Sequence, residues 1–461
     1  MAGSRSRQQL KRQRGRTADD RDLRPAKRTP DVVRVNFVRL LPQDLLAKIH
    51  GRLTFLDRLA FAVVCSAAGH PMNLEDTPTP WIVFPGKTKE KATFFSLADS
   101  RAAAARTSDL GMRGHIVLGS SFGWLATADE FGGLQIVNPV TGQHTRLPDI
   151  ATIPFLDYSL AYSKKGGHYC LNTELFHRTR YGGLPVPIDE HYGSMMPQTS
   201  TLTGYQMRHW FYRKVILSAS PRLDSYAAML ILHQNFGVPA FATSDHPTWK
   251  VAPSVHGIED AIHHDGRFYS ISSSGAVEAW ERDCATGEYT SKLVAVARVN
   301  MVVKEEFKVV RKYIAAMPDG RLVVLLKYTW EKMMTYNDPR KWSCVFKVQM
   351  LDEARRRWKE TRDIGDAALF VGMSSSFCVS TAAAHTGIKP GCVYFADDQL
   401  EQAAEPREWE ANKYGPRSRE DENKIPEQAG VYSLKDGTVE LVQGLARQPW
   451  SSPPVWFTPS F

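Results

Sequence analysis

Cysteine is scarce in this chain, and its few copies are widely separated. The 461 residues contain six cysteines and no C-x-x-C pair: Cys65, Cys170, Cys284, Cys344, Cys378 and Cys392. In a chain of this length, such scatter argues against a disulfide framework and against a zinc module. We expect reduced thiols and no structural metal.

Long apolar runs are also missing. No stretch approaches the ~18 consecutive apolar residues that a membrane-spanning helix needs, and the first 16 residues, MAGSRSRQQLKRQRGR, contain no hydrophobic run of the kind found in a secretory signal. We therefore expect no membrane association and a location in the nucleus, the cytoplasm or both.

Catalytic and cofactor motifs are absent or out of context. There is no phosphate-cradling glycine loop, dinucleotide fingerprint or H-E-x-x-H motif. Residues 119–123, GSSFG, match the G-x-S-x-G nucleophile elbow, but the following residues favour a strand where the elbow requires a helix.

The His263-His264-Asp265 run is best explained by a strand followed by an Asp-Gly turn. The acidic pairs Glu259-Asp260 and Asp397-Asp398 are interpreted as solvated loop acids. We predict no enzyme activity, cofactor or metal, with a hydrolase as the weakest alternative.

The positive charge is concentrated at the N-terminus. Residues 1–30 hold ten Lys/Arg and three Asp, a balance of +7, which leaves +2 of the total +9 for the other 431 residues. A nearly neutral body argues against nucleic-acid binding. Residues 1–38 are predicted to be a disordered basic tail. Two basic clusters within it are candidates for nuclear import, with a solubilising tail or a weak phosphate-contacting arm as the alternatives: Lys11, Arg12 and Arg14, then Lys27 and Arg28.

Residues 39–70 have the periodicity of short amphipathic helices. Leucine, isoleucine and valine recur there at three- and four-residue steps. Pro42 suits the first helical position, because it lacks an amide hydrogen that would be unpaired there. The run Gly69-His70-Pro71 ends the pattern, and residues 71–80 are predicted to be a linker.

From about residue 81 the pattern changes to short strands separated by turns. Asp-Gly pairs at 265–266, 319–320 and 436–437 lie between strand-forming runs, which is a strong hairpin signal. We predict a mainly β fold: residues 81–461 form a β-propeller of about six to eight blades, with seven favoured. A pair of β-sandwiches is the competing architecture. Residues 172–213 and 401–428 lack strand periodicity and are predicted to be surface loops.

The order of motifs resembles one plant protein family. Residues 41–65 contain Leu-Pro-x-Asp-Leu-Leu-x-x-Ile-x-x-Arg-Leu, a later Asp57 and a terminal Val-Cys, and they resemble an F-box. The rest resembles plant F-box proteins whose C-terminal domain is a kelch-like β-propeller, formerly a domain of unknown function. Its landmarks include GSSFGWL at 119–125, NPVTG at 138–142, GCVYFADD at 391–398 and PPVWF at 453–457.

The resemblance implies a subunit of an SCF-type ubiquitin ligase. The F-box would bind a Skp-type adaptor and through it a cullin, while the propeller would hold an unknown substrate protein. The implied adaptor-binding residues are Leu41, Pro42, Leu45, Leu46, Ile49, Leu53 and Leu59. F-boxes often end in Cys-x-x-Trp-Arg, but here Ala68 and Gly69 replace the Trp and Arg. The alternative is therefore a propeller interaction protein with a degenerate F-box that recruits no ligase.

Overall fold

The described part of the chain begins at residue 37, close to the end of the predicted basic tail. The computed structural model describes residues 37–53, 57, 61, 64–65, 79–85, 91–97, 100–106, 115–139, 142–159, 168–183, 199–219, 221–222, 224–233, 237–299, 302–304, 307–330, 344–381, 387–398, 429–442, 445 and 453–459. The import candidates and the charged stretch 401–428 lie outside these residues.

A short helical segment comes first. A 3-10 turn (Phe37–Leu40) leads into helix α1 (Gln43–Arg52). The backbone amides of Leu45 and Leu46 donate to the carbonyl of Pro42, which immediately precedes the helix. The helix thus starts one residue later than expected. Asp44 in its first turn and Arg52 in its last complement the helix dipole.

The first three sheets follow in chain order. Sheet 1 contains β1 (Trp81–Pro85), β2 (Lys91–Ser96), β3 (Arg101–Arg106) and, from the C-terminus, β29 (Val455–Phe457). Sheet 2 contains β4 (Ile116–Ser121), β5 (Trp124–Ala128), β6 (Leu134–Val137) and β7 (His144–Arg146). A 3-10 turn (Ile150–Thr152) precedes sheet 3, which contains β8 (Leu156–Ser159), β9 (His168–Asn172) and β10 (Thr199–Thr203).

Four more sheets complete the described β structure. Sheet 4 contains β11 (Tyr212–Leu217), β12 (Ala227–Leu232), β13 (Val238–Thr243) and β14 (His246–Val251). Sheet 5 contains β15 (Ile258–His264), β16 (Arg267–Ser272), β17 (Ala276–Arg282) and β18 (Tyr289–Val296). Sheet 6 contains β19 (Val302–Lys304), β20 (Phe307–Ala316), β21 (Leu322–Trp330), β22 (Cys344–Asp352) and β23 (Arg357–Thr361). Sheet 7 contains β24 (Ala367–Val371), β25 (Phe377–Ser380), β26 (Cys392–Ala396), β27 (Ala429–Ser433) and β28 (Val439–Leu441).

The sheets follow one another around a centre, as in a propeller. Successive contacts join β29 to β4, β4 to β11, β11 to β15, β15 to β20 and β20 to β25. The ring closes where β29 pairs antiparallel with β1, and where Trp456 donates its indole N–H to the carbonyl of Val371 in sheet 7. This path includes six of the seven described sheets, so the favoured count of seven blades stays a prediction.

The three Asp-Gly hairpins are confirmed. They connect β15 to β16, β20 to β21 and β27 to β28. Asp265 and Gly266 both have positive φ angles, 45° and 73°, as a two-residue type I′ hairpin requires.

The prediction of a surface loop at 172–213 is wrong for its described residues, 172–183 and 199–213. The segment contains helix α2 (Thr173–Arg180), strand β10 and a short helix α3 (Gly204–Gln206) that continues as a π-helical turn (Met207–Phe211). Phe176, Met207 and Phe211 are buried in the largest core cluster. Strand periodicity could not reveal this segment, because its apolar residues anchor short helices that lie against the propeller.

Candidate functional site

Helix α1 carries an exposed apolar face. Leu45 and Ile49, one helical turn apart, are 45% and 39% exposed, and Leu40 in the preceding turn is still more open. Val64, further along the same module, is also exposed. Large apolar side chains grouped on a short helix favour a docking surface over solvent.

The predicted adaptor-binding residues take different positions on this module. Leu46 is fully buried. Pro42 is exposed, and Leu41 and Leu53 are half-buried. Leu59 lies outside the described residues. The exposed face is thus defined by Leu40, Leu45 and Ile49, with Pro42 at its start. Leu40 precedes the F-box-like motif and is not among the sequence-predicted residues.

A second feature is a group of buried charges at the centre of the propeller. Lys214 of β11 and Asp260 of β15 form an ion pair with both side chains almost fully buried. Asp260 also accepts hydrogen bonds from the amide of Ile314 (3.1 Å) and the hydroxyl of Ser376 (2.7 Å). A second buried pair lies beside it, since Lys312 Nζ of β20 lies 2.7 Å from Oε1 of Glu259, the residue that precedes Asp260 in β15.

The prediction of solvated loop acids is therefore wrong for Glu259, Asp260 and Asp398. Glu259 and Asp260 belong to strand β15, and Asp398 accepts a 3.0 Å hydrogen bond from the hydroxyl of Tyr313. Although burial raises the pKa of Asp398, the positive charge of Arg311 and other cations holds that pKa below its ordinary value. The spacing of residues along the sequence could not indicate that these acids are buried, because their partner residues come from different sheets.

A loop of sheet 7 crosses this centre. We call residues 372–376, between β24 and β25, the crossing segment. Its Gly372 carbonyl accepts from Lys214 Nζ at 2.9 Å. Its Ser375 amide donates to the carbonyl of Ser120 at 2.9 Å, and the hydroxyls of Ser375 and Ser121 lie 2.6 Å apart. The crossing segment thus joins sheet 7 to sheets 2, 4 and 5.

The G-x-S-x-G match is a strand–turn–strand, as predicted. Ser120 and Ser121 end β4, Phe122 and Gly123 form the turn, and β5 follows. Gly119 has a packing reason, since a Cβ there would lie 2.1 Å from the carbonyl oxygen of Val215 in β11. The glycine that begins the motif is therefore explained by the close approach of two inner strands, β4 and β11.

The two adjacent histidines form hydrogen bonds with residues on opposite sides of sheet 5. His263 Nδ1 accepts from the amide of Ala219 at 3.1 Å, next to sheet 4, and His264 Nε2 lies 3.2 Å from the carbonyl of Gly320, next to sheet 6. No group of side chains suited to hold a metal ion occurs among the described residues. Nor does any helix in the described ranges have the length and apolar character needed to cross a membrane.

Buried histidines in and beside helix α2 and the π-helical turn predict an acid-sensitive fold. Burial lowers the pKa of His209 to about 4 and that of His233 to about 3. In the unfolded chain both histidines take up a proton near pH 6.5, whereas in the folded chain they stay neutral at that pH. The free energy of unfolding is therefore undiminished above pH 6.5 and decreases as the pH falls below it. Two such groups remove about 2–3 kcal/mol between pH 6 and 5. Urea unfolding across this range is expected to show a shallower pH slope for His233→Gln than for the wild type. Identical slopes would contradict this assignment.

Comparison with known proteins supports the fold. The family model "KIB1-4 beta-propeller" matches residues 94–433, which is most of the chain. The Arabidopsis thaliana protein "Putative F-box protein At5g60060" is 23% identical over 187 residues, covering 40% of this chain and 46% of that protein. The chain therefore matches less than half the length of this relative.

The similarity of this chain to solved structures is weaker. A protein from Lactobacillus plantarum has a TM-score of 0.34 and 11% identity, covering 82% of this chain and 99% of that one. The Myceliophteria thermophila Cps50 (Swd1) β-propeller domain has a TM-score of 0.28 and 9% identity, covering 61% of this chain and 82% of that one. The family model matches far more than half of the chain. The chain belongs to the KIB1-4 beta-propeller family.

Proposed function

We propose that this chain is the substrate-recognition subunit of an SCF-type ubiquitin ligase. In this proposal the N-terminal module binds a Skp-type adaptor and through it a cullin, and the propeller binds the target protein. The chain itself performs no catalysis, because the ligase complex supplies the ubiquitin chemistry.

The exposed apolar face of α1 is the observation that carries the proposal. Leu40, Leu45 and Ile49 remain open although the adjacent Leu46 is buried. A module this short cannot bury both sides of its helix, so the exposed side requires a partner. The F-box in the name of the Arabidopsis relative supports an adaptor as that partner.

Co-purification from a mixture of purified proteins tests the proposal. Tagged full-length chain is expected to retain a Skp-type adaptor, and to retain a cullin only when the adaptor is present. Retention of neither protein would overturn the ligase proposal. Cullin retention without the adaptor would show that α1 is not the docking site.

A second candidate follows from the end of the module. Residues 65–69 read Cys-Ser-Ala-Ala-Gly, without the large aromatic residue and arginine that often close an F-box. Loss of a buried aromatic anchor can cost about 3 kcal/mol of binding free energy. In this alternative the propeller still binds its partner, but the chain recruits no ligase.

The basic tail is proposed to direct nuclear import. Residues 1–30 fused to a fluorescent reporter are expected to concentrate it in the nucleus, because two basic clusters separated by a polar spacer fit an import signal. A matched fusion should remain diffuse when the clusters are neutralised by the substitutions Lys11→Ala, Arg12→Ala, Arg14→Ala, Lys27→Ala and Arg28→Ala. Diffuse fluorescence of the unaltered fusion would leave the tail as a solubilising segment.

A further inference from the structure

Helix α1 carries two cations beside its exposed apolar face. Lys48 and Arg52 are both exposed, and they follow Leu45 by three and seven residues. Residues at these spacings lie on the same side of an α-helix. Leu45, Lys48, Ile49 and Arg52 therefore form one exposed stripe along the helix, which we call the α1 stripe.

The apolar and charged residues occupy separate parts of the α1 stripe. At about 3.6 residues per turn, the order around the helix is Leu46, Ile49, Leu45, Arg52, Lys48. Leu46 is buried, so Ile49 and Leu45 lie between the buried side of the helix and the two cations. The cations thus border the exposed apolar residues on one side only.

Neither cation is neutralised within the described part of the chain. No ion pair or side-chain hydrogen bond joins Lys48 or Arg52 to another described residue, although Asp44 lies one helical turn before Lys48. The 3-10 turn that precedes the helix adds Arg39, which is also exposed. Residues 37–53 thus hold three Lys or Arg residues against one acid, a balance of +2.

A partner that covers the apolar residues also comes close to the cations. Protein interfaces commonly have an apolar core and a polar rim, and in this arrangement Leu45 and Ile49 belong to the core, with Lys48 and Arg52 at the rim. Partial removal of water from these cations costs free energy unless opposite charges face them. Carboxylates on the partner offset that cost, whereas cations there would repel the helix.

We propose that the partner of α1 presents acidic side chains along one edge of its apolar groove, opposite Lys48 and Arg52. The inference rests on the proposed function, so the partner is the Skp-type adaptor, and it adds a role for charge in recognising that adaptor. Because the cations border one side of the α1 stripe, the opposite charges meet in only one orientation of the helix. Charges at a rim act mainly on the association rate and on its dependence on salt.

Surface plasmon resonance of the full-length chain against immobilised adaptor, at two salt concentrations, tests this proposal. Lys48→Gln/Arg52→Gln is expected to lower the association rate about tenfold at about 50 mM NaCl. At about 500 mM NaCl the difference from wild type should be less than about twofold, because salt then screens charges beyond a few ångströms. The dissociation rate should change less than about threefold. Both side chains are exposed, so the variant should fold as the wild type does.

Two control variants separate charge from other effects. Lys48→Arg/Arg52→Lys keeps both charges and is expected to associate at the wild-type rate. Arg357→Gln/Lys359→Gln removes one arginine and one lysine from exposed positions of strand β23, and it should leave both rates unchanged.

The outcomes distinguish this proposal from the proposed function. Equal association rates for wild type and Lys48→Gln/Arg52→Gln at low salt would overturn the acidic edge, while the adaptor binding itself would still support the ligase. A loss of the same size at both salt concentrations would also overturn it, because packing and not charge would then be responsible. If the wild-type chain bound no adaptor at either salt concentration, the proposed function and the acidic edge would both be overturned.

Discussion

Replacement of Asp260 by alanine is expected to lower the free energy of unfolding by about 3–5 kcal/mol, because it leaves the Lys214 ammonium buried without its counter-charge. The loss extends beyond the ion pair. The amide of Ile314 and the hydroxyl of Ser376 also lose their acceptor, and an unsatisfied buried donor costs about 1–3 kcal/mol. The substitution therefore weakens contacts that join sheets 4, 5, 6 and 7.

Urea unfolding followed by tryptophan fluorescence measures this effect. Asp319→Ala is the matched control, because the Asp319–Arg321 pair is half-exposed and exposed pairs contribute about 0–1 kcal/mol. The double variant Asp260→Ala/Lys214→Met should recover part of the loss, since no unpaired charge remains. An Asp260→Ala midpoint equal to that of Asp319→Ala would show that the buried network does not stabilise the propeller.

The second large effect is expected at helix α1. Leu45→Asp/Ile49→Asp places two charges on the exposed apolar face and should weaken adaptor binding by 100-fold or more, about 3 kcal/mol, as loss of central interface anchors does. The fold should be unaffected, because both side chains are open to solvent. Surface plasmon resonance against immobilised adaptor gives the ratio of affinities.

A matched control exists on the propeller. Leu293 and Val296 of the edge strand β18 are each 54% exposed, so Leu293→Asp/Val296→Asp introduces the same charges on another apolar surface. This variant is expected to bind the adaptor as the wild type does. If both variants weakened adaptor binding equally, the effect would be due to charge alone. If the α1 variant did not weaken it, the interface would lie elsewhere.

Local signals in the sequence predicted the elements that depend on local chemistry. The leucine and isoleucine spacing around residues 43–52 predicted helix α1, and the Asp-Gly pairs predicted three hairpins. The rejection of the G-x-S-x-G elbow also depended only on nearby residues. In each case the deciding contacts lie within about ten residues along the chain.

Features assembled from distant strands could not be predicted in this way. Asp260 resembles any other loop acid in the sequence, and only the assembly of sheets places it beside Lys214, 46 residues earlier, and Ser376, 116 residues later. The register shift at Arg213, where β11 pairs with β12, likewise could not be predicted, because it depends on the partner strand. Helices α2 and α3 were not predicted, because short helices anchored by single aromatic residues have little periodicity.

Titration of the full-length chain with a purified Skp-type adaptor tests the proposed docking most directly. Docking through Leu45 and Ile49 predicts saturable one-to-one binding with a Kd of about 1 µM or below, equivalent to about −8 kcal/mol. The Leu45→Asp/Ile49→Asp chain should show no saturation over the same range. Failure of the wild-type chain to bind at 100-fold higher adaptor concentration would contradict the ligase function and leave a propeller that binds its partner without an adaptor.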